Sequence, residues 1–305
     1  MLATNNTTMK IILHEISDIQ EARIHYRPSK ICKTPYVADA TVDNKDILLH
    51  TPSLGCCGLV EKESSVLISN IPLKKTKDDK PKCTHRTELA FVYENEHTMI
   101  VGVNPNLAEI IAKSALIVNC IQGLTLQSYQ SFSQQTTFLN SRFDFSGIDN
   151  NGKEFIMEIK NVPLADYVDV PKKERKKYLK KIENMKYNEK ISYFPDGYRK
   201  SNVDIVSPRA LKHVQELEMI ATTTDKRAIL CFVIQRTDVK QFQPSNIDLT
   251  YKAAVQKAWL NGVEIKTIVT EWTSCGKCYF VRNDLPICLF EEEGPHVPTL
   301  SLKTP

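Results

Sequence analysis

Ser141-Arg142-Phe143-Asp144-Phe145, followed by Asp149-Asn150-Asn151-Gly152 and then Phe155-Ile156-Met157-Glu158-Ile159-Lys160, is the stretch that decides the fold. Asp144 lies on an alternating run with Phe143 and Phe145, which predicts a strand. Asp149 to Gly152 is a hairpin turn signal. Lys153 to Lys160 then reads as the returning strand, with Phe155, Met157 and Ile159 on one face. Period two places Glu158 and Lys160 together on the other. An antiparallel hairpin brings that face beside Asp144. Two carboxylates and a lysine converging on neighbouring strands suit a divalent cation that cleaves phosphodiesters, with the lysine steering or activating water. The plainer alternative is a solvated strand face that carries Asp, Glu and Lys without chemistry.

Working outward, 305 residues exceed one typical domain, and 42% apolar content supports ordinary globular cores. The formal charge of +4 is unevenly spread: Asn161 to Lys200 holds eleven Lys/Arg against six Asp/Glu. A local basic segment of this kind suits a polyanion partner better than a membrane. Met1 to Gln20 lacks the apolar core of a signal peptide. The longest apolar run, Ala228 to Ile234, is too short to span a bilayer. Nine cysteines, an odd count, predict reduced thiols in a cytoplasmic or nuclear compartment. Cys275-Gly276-Lys277-Cys278 reads as a hairpin turn with Gly276 at its tip. The competing reading is a zinc pair, but no second pair with suitable spacing follows.

Residues 1–103 carry mostly short strands, at Tyr36 to Val42, Ile47 to His50, Ser65 to Ser69, Glu88 to Val92 and Thr98 to Val103. That density predicts a small barrel or sandwich. Asn104-Pro105-Asn106 breaks the pattern and starts a helix through Leu107, Ile110, Ile111 and Leu116, with Asn106 as N-cap. Strands are predicted at 125–133, 136–147 and 153–161. A helix follows from Pro208 to Thr222, then a buried strand from Arg227 to Gln235. A helix from Thr250 to Asn261 and a strand from Val263 to Val269 complete the pattern. Strands first and then βαβαβ predict a mixed sheet flanked by helices over 104–290. The segment 163–192 stands apart as a basic insertion, with Lys172 to Lys190 predicted helical. The tail 291–305, acidic and then proline-rich, is predicted disordered.

At this point the chain resembles the sugar fermentation stimulation protein A family, described as DNA-binding proteins and candidate nucleases. The resemblance runs from about Tyr36 to Val269. Its anchors are Val37-Ala38-Asp39-Ala40, His50-Thr51-Pro52-Ser53-Leu54-Gly55-Cys56-Cys57-Gly58-Leu59 and Gly102-Val103-Asn104-Pro105-Asn106, together with the two hairpin motifs. Phe194-Pro195-Asp196-Gly197, Leu211-Lys212-His213-Val214-Gln215-Glu216-Leu217 and Phe232-Val233-Ile234-Gln235-Arg236 follow in order. The resemblance implies an α/β (α+β) protein: an N-terminal OB-like, nucleic-acid-binding barrel over 1–103 and a PD-(D/E)xK nuclease-like domain over 104–290, with the barrel and the basic insertion gripping the strand. It implies Asp144 and Glu158 as metal ligands for Mg²⁺ or Mn²⁺ and Lys160 as the active-site lysine, with Glu109 a candidate fourth catalytic residue from the first core helix. Arg142, Lys212, His213, Gln235 and Arg236 become candidate contacts to nucleic acid, DNA or RNA. For Lys212, a helix salt bridge to Glu216 competes.

The sequence also departs from that pattern. Ser53-Leu54 and Cys56-Cys57 replace polar and small residues of the family's His-Cys-Pro-Asn-Thr-Gly-Ser-Met anchor. A Glu often seen on the strand before the Arg-x-Asp motif is absent, and Gln134 or Gln135 lies there instead. The leading expectation is therefore a metal-dependent nuclease. Its rivals are a nucleic-acid-binding protein without catalysis, and an interaction protein that docks an acidic partner on the basic segment.

Overall fold

The structure, a computed structural model, describes residues 10–53, 58–72, 82–171, 173–195 and 205–290. The predicted disordered tail, Cys56-Cys57 and Asp196-Gly197 lie outside the described residues.

Strand β1 (Ile12–Glu15) is followed by β2 (Gln20–Tyr26), β3 (Val37–Val42), β4 (Lys45–His50), β5 (Ser65–Asn70) and β6 (His85–Glu94). The last five close on themselves in the order β2-β3-β4-β6-β5-β2. All neighbours are antiparallel except β4 and β6, which run parallel through Leu49↔His85. One parallel junction in a five-stranded ring is the topology of an OB barrel. Asp43 and Asn44 join β3 to β4 with φ of 49° and 60°, as a two-residue hairpin requires. Ile24, Ala38, Leu49, Val66, Ile68 and Ala90 fill the ring. Strand β7 (His97–Gly102) extends β6 outside it.

Helix α1 (Asn106–Ile117) leads into β8 (Phe132–Phe138), β9 (Ser141–Ile148) and β10 (Glu154–Val162). After β11 (Ala165–Asp166), the one-turn helix α2 (Leu179–Ile182) and β12 (Lys190–Phe194) come α3 (Pro208–Thr223), β13 (Arg227–Ile234), β14 (Val239–Pro244), α4 (Leu249–Leu260), β15 (Glu264–Trp272) and β16 (Lys277–Arg282). The main sheet has the order β1-β16-β15-β13-β10-β9-β8, with β10, β13 and β15 parallel at its centre. Every residue of β13 from Ala228 onward is buried, because helices cover both faces of a parallel sheet. Helix α1 packs with Met157, Ile159, Ile229 and Val233 on one face. Helices α3 and α4 pack with Ile156, Leu230, Phe232 and Ile234 on the other. A small sheet, β11-β12-β14, stands beside it.

Three expectations need correction. Strand β1 pairs with β16, so the first described strand lies in the core sheet, and the chain crosses to the barrel at Gln20 and returns at α1; β1 is not part of the barrel expected over 1–103. Lys172 to Lys190 is not one helix: it contains 3-10 turns at Arg175–Tyr178 and Tyr187–Glu189 around the single turn of α2. Its apolar stripe is too thin to hold a longer helix, and Leu179 is left exposed. Asn106 is the first helical residue rather than the cap. Asn104 Oδ1 accepts its N–H at 3.1 Å, and Asn104 Nδ2 is anchored on Glu88 at 2.7 Å.

Candidate active site

The hairpin expected from the sequence is present. Asp149 Oδ1 accepts the N–H groups of Asn151 and Lys153, both at 2.9 Å, and Gly152 takes a φ of 78°. Strands β9 and β10 pair from Ile148↔Glu154 to Phe145↔Met157, and there the described ladder ends. One residue further along, the Asp144 carboxylate takes over: its Oδ2 accepts the backbone N–H of Ile159 at 2.7 Å. Gln135, at φ 56° in the left-handed region, stands opposite Asp144 on β8. The pleat is broken at this point, so Phe143 packs toward α3 and Phe145 toward α1. The simple alternation read from the sequence fails at Asp144 because a side chain replaces the backbone there.

Glu158 is only 3% exposed. Its Oε1 accepts from Lys160 Nζ at 2.5 Å and pairs with His213 Nδ1, which α3 presents one side chain away from Phe143. Its other oxygen, Oε2, is buried with no hydrogen-bond partner among the described residues. Asp144 is 8% exposed, and its Oδ1 receives only a long 3.4 Å contact from Gln135 Nε2. The same Gln135 amide donates to Glu109 Oε2 at 2.8 Å, so α1 brings Glu109 to the site through Gln135.

The two acids have opposite electrostatics. Burial, then the charge of Glu158, push the Asp144 carboxyl up to about 7 against the Ile159 hydrogen bond. Burial also pushes Glu158 upward, but the His213 hydrogen bond and the Lys160 charge outweigh it and hold the carboxyl below its ordinary value. Asp144 and Glu158 are the donors that could hold a cation. Among the described residues no group of three His, Cys, Asp or Glu side chains is arranged as a ready-made metal cage. At the zinc-like pair, Gly276 (φ 81°) turns the hairpin; Cys275 is exposed while Cys278 is buried, and the seven described cysteines are free thiols.

A cavity of about 360 Å³ opens over the pair. Ser53 and Val103 of the barrel side line it together with Glu109, Asp144, Glu158, Lys160, Asn161, Phe194 and Arg209. The site thus lies where barrel and core meet. Arg209 was not expected from the sequence, and it forms no ion pair or hydrogen bond among the described residues. The signal was available: it precedes His213 by four positions and shares its helix face.

The remaining candidates are placed elsewhere. Gln235 is fully buried, donating to Asn161 Oδ1 at 2.6 Å and accepting from Trp272 Nε1 at 2.7 Å. A Cβ on Gly102 would lie 1.8 Å from its Oε1, so the glycine is required for this approach. Arg236 is buried, forked on Asp238 and donating to Pro163 O at 3.1 Å. The expectation that Gln235 and Arg236 contact a nucleic acid does not match these internal roles. Gln235 instead braces Asn161 in the cavity wall. Lys212 is exposed, donating to Asn140 O at 2.7 Å with Glu216 at 3.7 Å, and Arg142 is exposed on β9; neither lines the cavity.

The fold is thus an OB-type barrel joined to a helix-flanked mixed sheet, with an acidic pair and a lysine on the second core hairpin. The family model described as the sugar fermentation stimulation protein RE domain matches residues 166–276, beginning just past the hairpin. Sugar fermentation stimulation protein homologs align over most of the chain. That of Clostridium tetani is 24% identical over 81% of this chain and 88% of its own length. That of Nitrosococcus oceani is 26% identical over 83% and 92%. The solved structure of Pyrococcus furiosus SfsA in complex with Ca²⁺ superposes with a TM-score of 0.66 at 14% identity, covering 91% of this chain and 99% of that one. The chain is thus similar over most of its length to proteins of the sugar fermentation stimulation protein (SfsA) family. No helix among the described residues is long and apolar enough to cross a membrane.

Proposed function

We propose that this chain is a metal-dependent nuclease acting on DNA or RNA at the Asp144–Glu158–Lys160 cavity. The observation that carries the reading is Glu158 Oε2, a carboxylate oxygen buried beside a second acid and without a hydrogen-bond partner among the described residues. A buried carboxylate oxygen left without a donor costs free energy, even where the other oxygen is paired, and a cation can complete it. Hard oxygen donors suit Mg²⁺ or Mn²⁺, which keep several waters and need few protein ligands. The relative from Pyrococcus furiosus was solved with Ca²⁺, another hard cation. When bound, the metal supplies Lewis-acid stabilisation of a phosphate and a water of lowered pKa.

The chain's own residues do the rest. Asp144 is fixed by the Ile159 N–H and Glu158 by His213, so both carboxylates are oriented before any ligand arrives. Lys160, held on Glu158, orients the attacking water and stabilises charge developing on the phosphate. Arg209 draws the phosphate to the cavity.

The competing reading, a nucleic-acid-binding protein without catalysis, is favoured by Gln135, a neutral amide directly opposite Asp144. One assay separates the two. Wild type is incubated with Mg²⁺ and then Mn²⁺ on labelled single- and double-stranded DNA and RNA, beside Lys160→Ala and Glu158→Gln. Binding is measured on the same samples in EDTA. The nuclease reading expects cleavage by wild type, about a hundredfold loss in each variant, and nearly equal binding. Equal binding with no cleavage by any of the three refutes it.

A further inference from the structure

The two edge strands of the main sheet are built differently. Strand β1 has four residues, a break in register between Ile12 and His14, and the Lys10–Glu271 ion pair beside it at 2.9 Å. Short length, irregular register and charge are the devices that keep an edge from pairing. Strand β8, at the other edge, has seven residues, Phe132-Ser133-Gln134-Gln135-Thr136-Thr137-Phe138, and none is ionisable. It lies in a run from Ser114 to Ser141, 28 residues without Asp, Glu, Lys, Arg or His, in a chain that is 25% charged. Burial does not explain the neutrality, since Ser133, Gln134 and Thr137 are exposed. Among the described residues, no backbone group of β8 is bonded to anything but β9.

The faces of β8 are defined by what they touch. Ser133, Thr136 and Phe138 line an open cavity of about 390 Å³ on the α3 side, where Thr136 Oγ1 meets Ser146 Oγ at 2.6 Å. Phe132 packs on Phe145 toward α1, with ring centroids 6.0 Å apart. The kink at Gln135 separates the two halves of the strand and turns its amide to Glu109 of α1.

A strand pairs antiparallel with a second copy of itself about a twofold axis normal to the sheet, which keeps each face on its own side. With the axis between Gln134 and Gln135, Ser133 meets Thr136 of the second copy and Phe132 meets Thr137, while the glutamines meet at the centre. Hydroxyl pairs and aromatic–β-branched pairs are favourable across strands, and no like charges are opposed. Ser131, on the rim of the cavity, falls opposite Phe138 of the second copy, so each copy covers the other's cavity. Tyr129, 70% exposed, and Leu139, 44% exposed, flank opposite ends of β8, and the axis brings them together twice.

We propose that two copies of this chain join along β8 into one continuous sheet. The dimer does not depend on the nuclease reading, but it places the candidate sites side by side. Asp144 stands opposite Gln135 on β9, so the two Asp144 residues are three strand spacings apart, about 14 Å.

Sedimentation velocity on the full chain tests this, over a concentration series up to about 100 µM, where even small specific interfaces are populated. Wild type is expected to reach about 69 kDa, two chains of 34.7 kDa. Gln134→Lys and Gln134→Glu, at an exposed position, each set like charges across the axis and should remain monomeric. An equal mixture of the two should recover the dimer, because only a twofold at this strand puts position 134 beside its own copy. Leu260→Lys, on the exposed end of α4, is the control and should dimerise like wild type. A monomeric wild type overturns the proposal. So does a dimer that survives Gln134→Lys, one that Leu260→Lys breaks equally, or a pair of charge variants that does not rejoin on mixing. Cleavage is read separately, so none of these outcomes decides the nuclease reading.

Discussion

Two buried acidic clusters in this protein, both next to lysines, have opposite electrostatic fates. Asp238 is 2% exposed; burial pushes its carboxyl upward, but the fork of Arg236 and the Lys190 ammonium at 2.9 Å hold it below the ordinary range. Lys190 also binds Glu94 of β6 at 2.9 Å, and Tyr167 donates to the same carboxylate at 2.5 Å. His97 of β7 stacks on Tyr187 at 4.1 Å. This closed cluster fastens the barrel to the core. Asp144, similarly buried, faces a second carboxylate and is pushed up to about 7, while Glu158 keeps one oxygen unpartnered among the described residues. Burial does not by itself tell structure from site; what tells them apart is whether every charge has been answered.

That contrast can be broken from either side. The largest effect is expected for Asp238→Ala, which leaves Arg236 and Lys190 buried without their shared partner. It should cost about 3–5 kcal/mol of unfolding free energy, measured by chemical denaturation at neutral pH. A loss below about 1 kcal/mol would mean that the cluster is solvated rather than closed.

Asp144→Asn should act in the opposite direction. A carboxyl raised from the ordinary 3.8 to about 7 contributes stability that is full below pH 4 and is lost as pH rises through 7. In EDTA, the variant should therefore gain on wild type between about pH 4 and 7, by an amount on the order of a few kcal/mol. Asp238 titrates with the other sign: its contribution is present above the ordinary carboxyl value and disappears on acidification. Melting curves across that range, compared as differences between variant and wild type, separate the two. A difference for Asp144→Asn that does not vary with pH would contradict the assignment.

The smallest effect is expected for Arg209→Ala. Loss of one phosphate contact among several should weaken nucleic-acid binding by less than about tenfold and reduce the salt slope by about one charge. An unchanged slope would place Arg209 outside the substrate path.

Much of this was legible in the sequence. The Asp149–Gly152 turn, the alternation of Phe155, Met157 and Ile159, and the apolar run of β13 are local signals, and each formed the predicted element. What was hidden depends on partners distant in the chain. Nothing near Ile12 announces that β1 will pair with β16, more than 260 residues away. Gln235 and Arg236 read as polar residues beside a site, yet Trp272, Asn161 and Asp238 absorb them. His213 is the instructive intermediate: its motif placed it near the site, and only the packing of α3 on β10 shows that it grips Glu158. The basic segment suggested a helix because charge spacing can imitate one where there is too little apolar surface to hold it.

The central claim is that the Asp144–Glu158 pair is built to be completed by a cation. Thermal unfolding in EDTA and in Mn²⁺, for wild type, Glu158→Gln and Asp238→Ala, tests it without reference to activity. The account predicts that Mn²⁺ raises the melting temperature of wild type and of Asp238→Ala, since the latter keeps the site, and leaves Glu158→Gln unmoved. Equal shifts in all three proteins, or none in wild type, would contradict it.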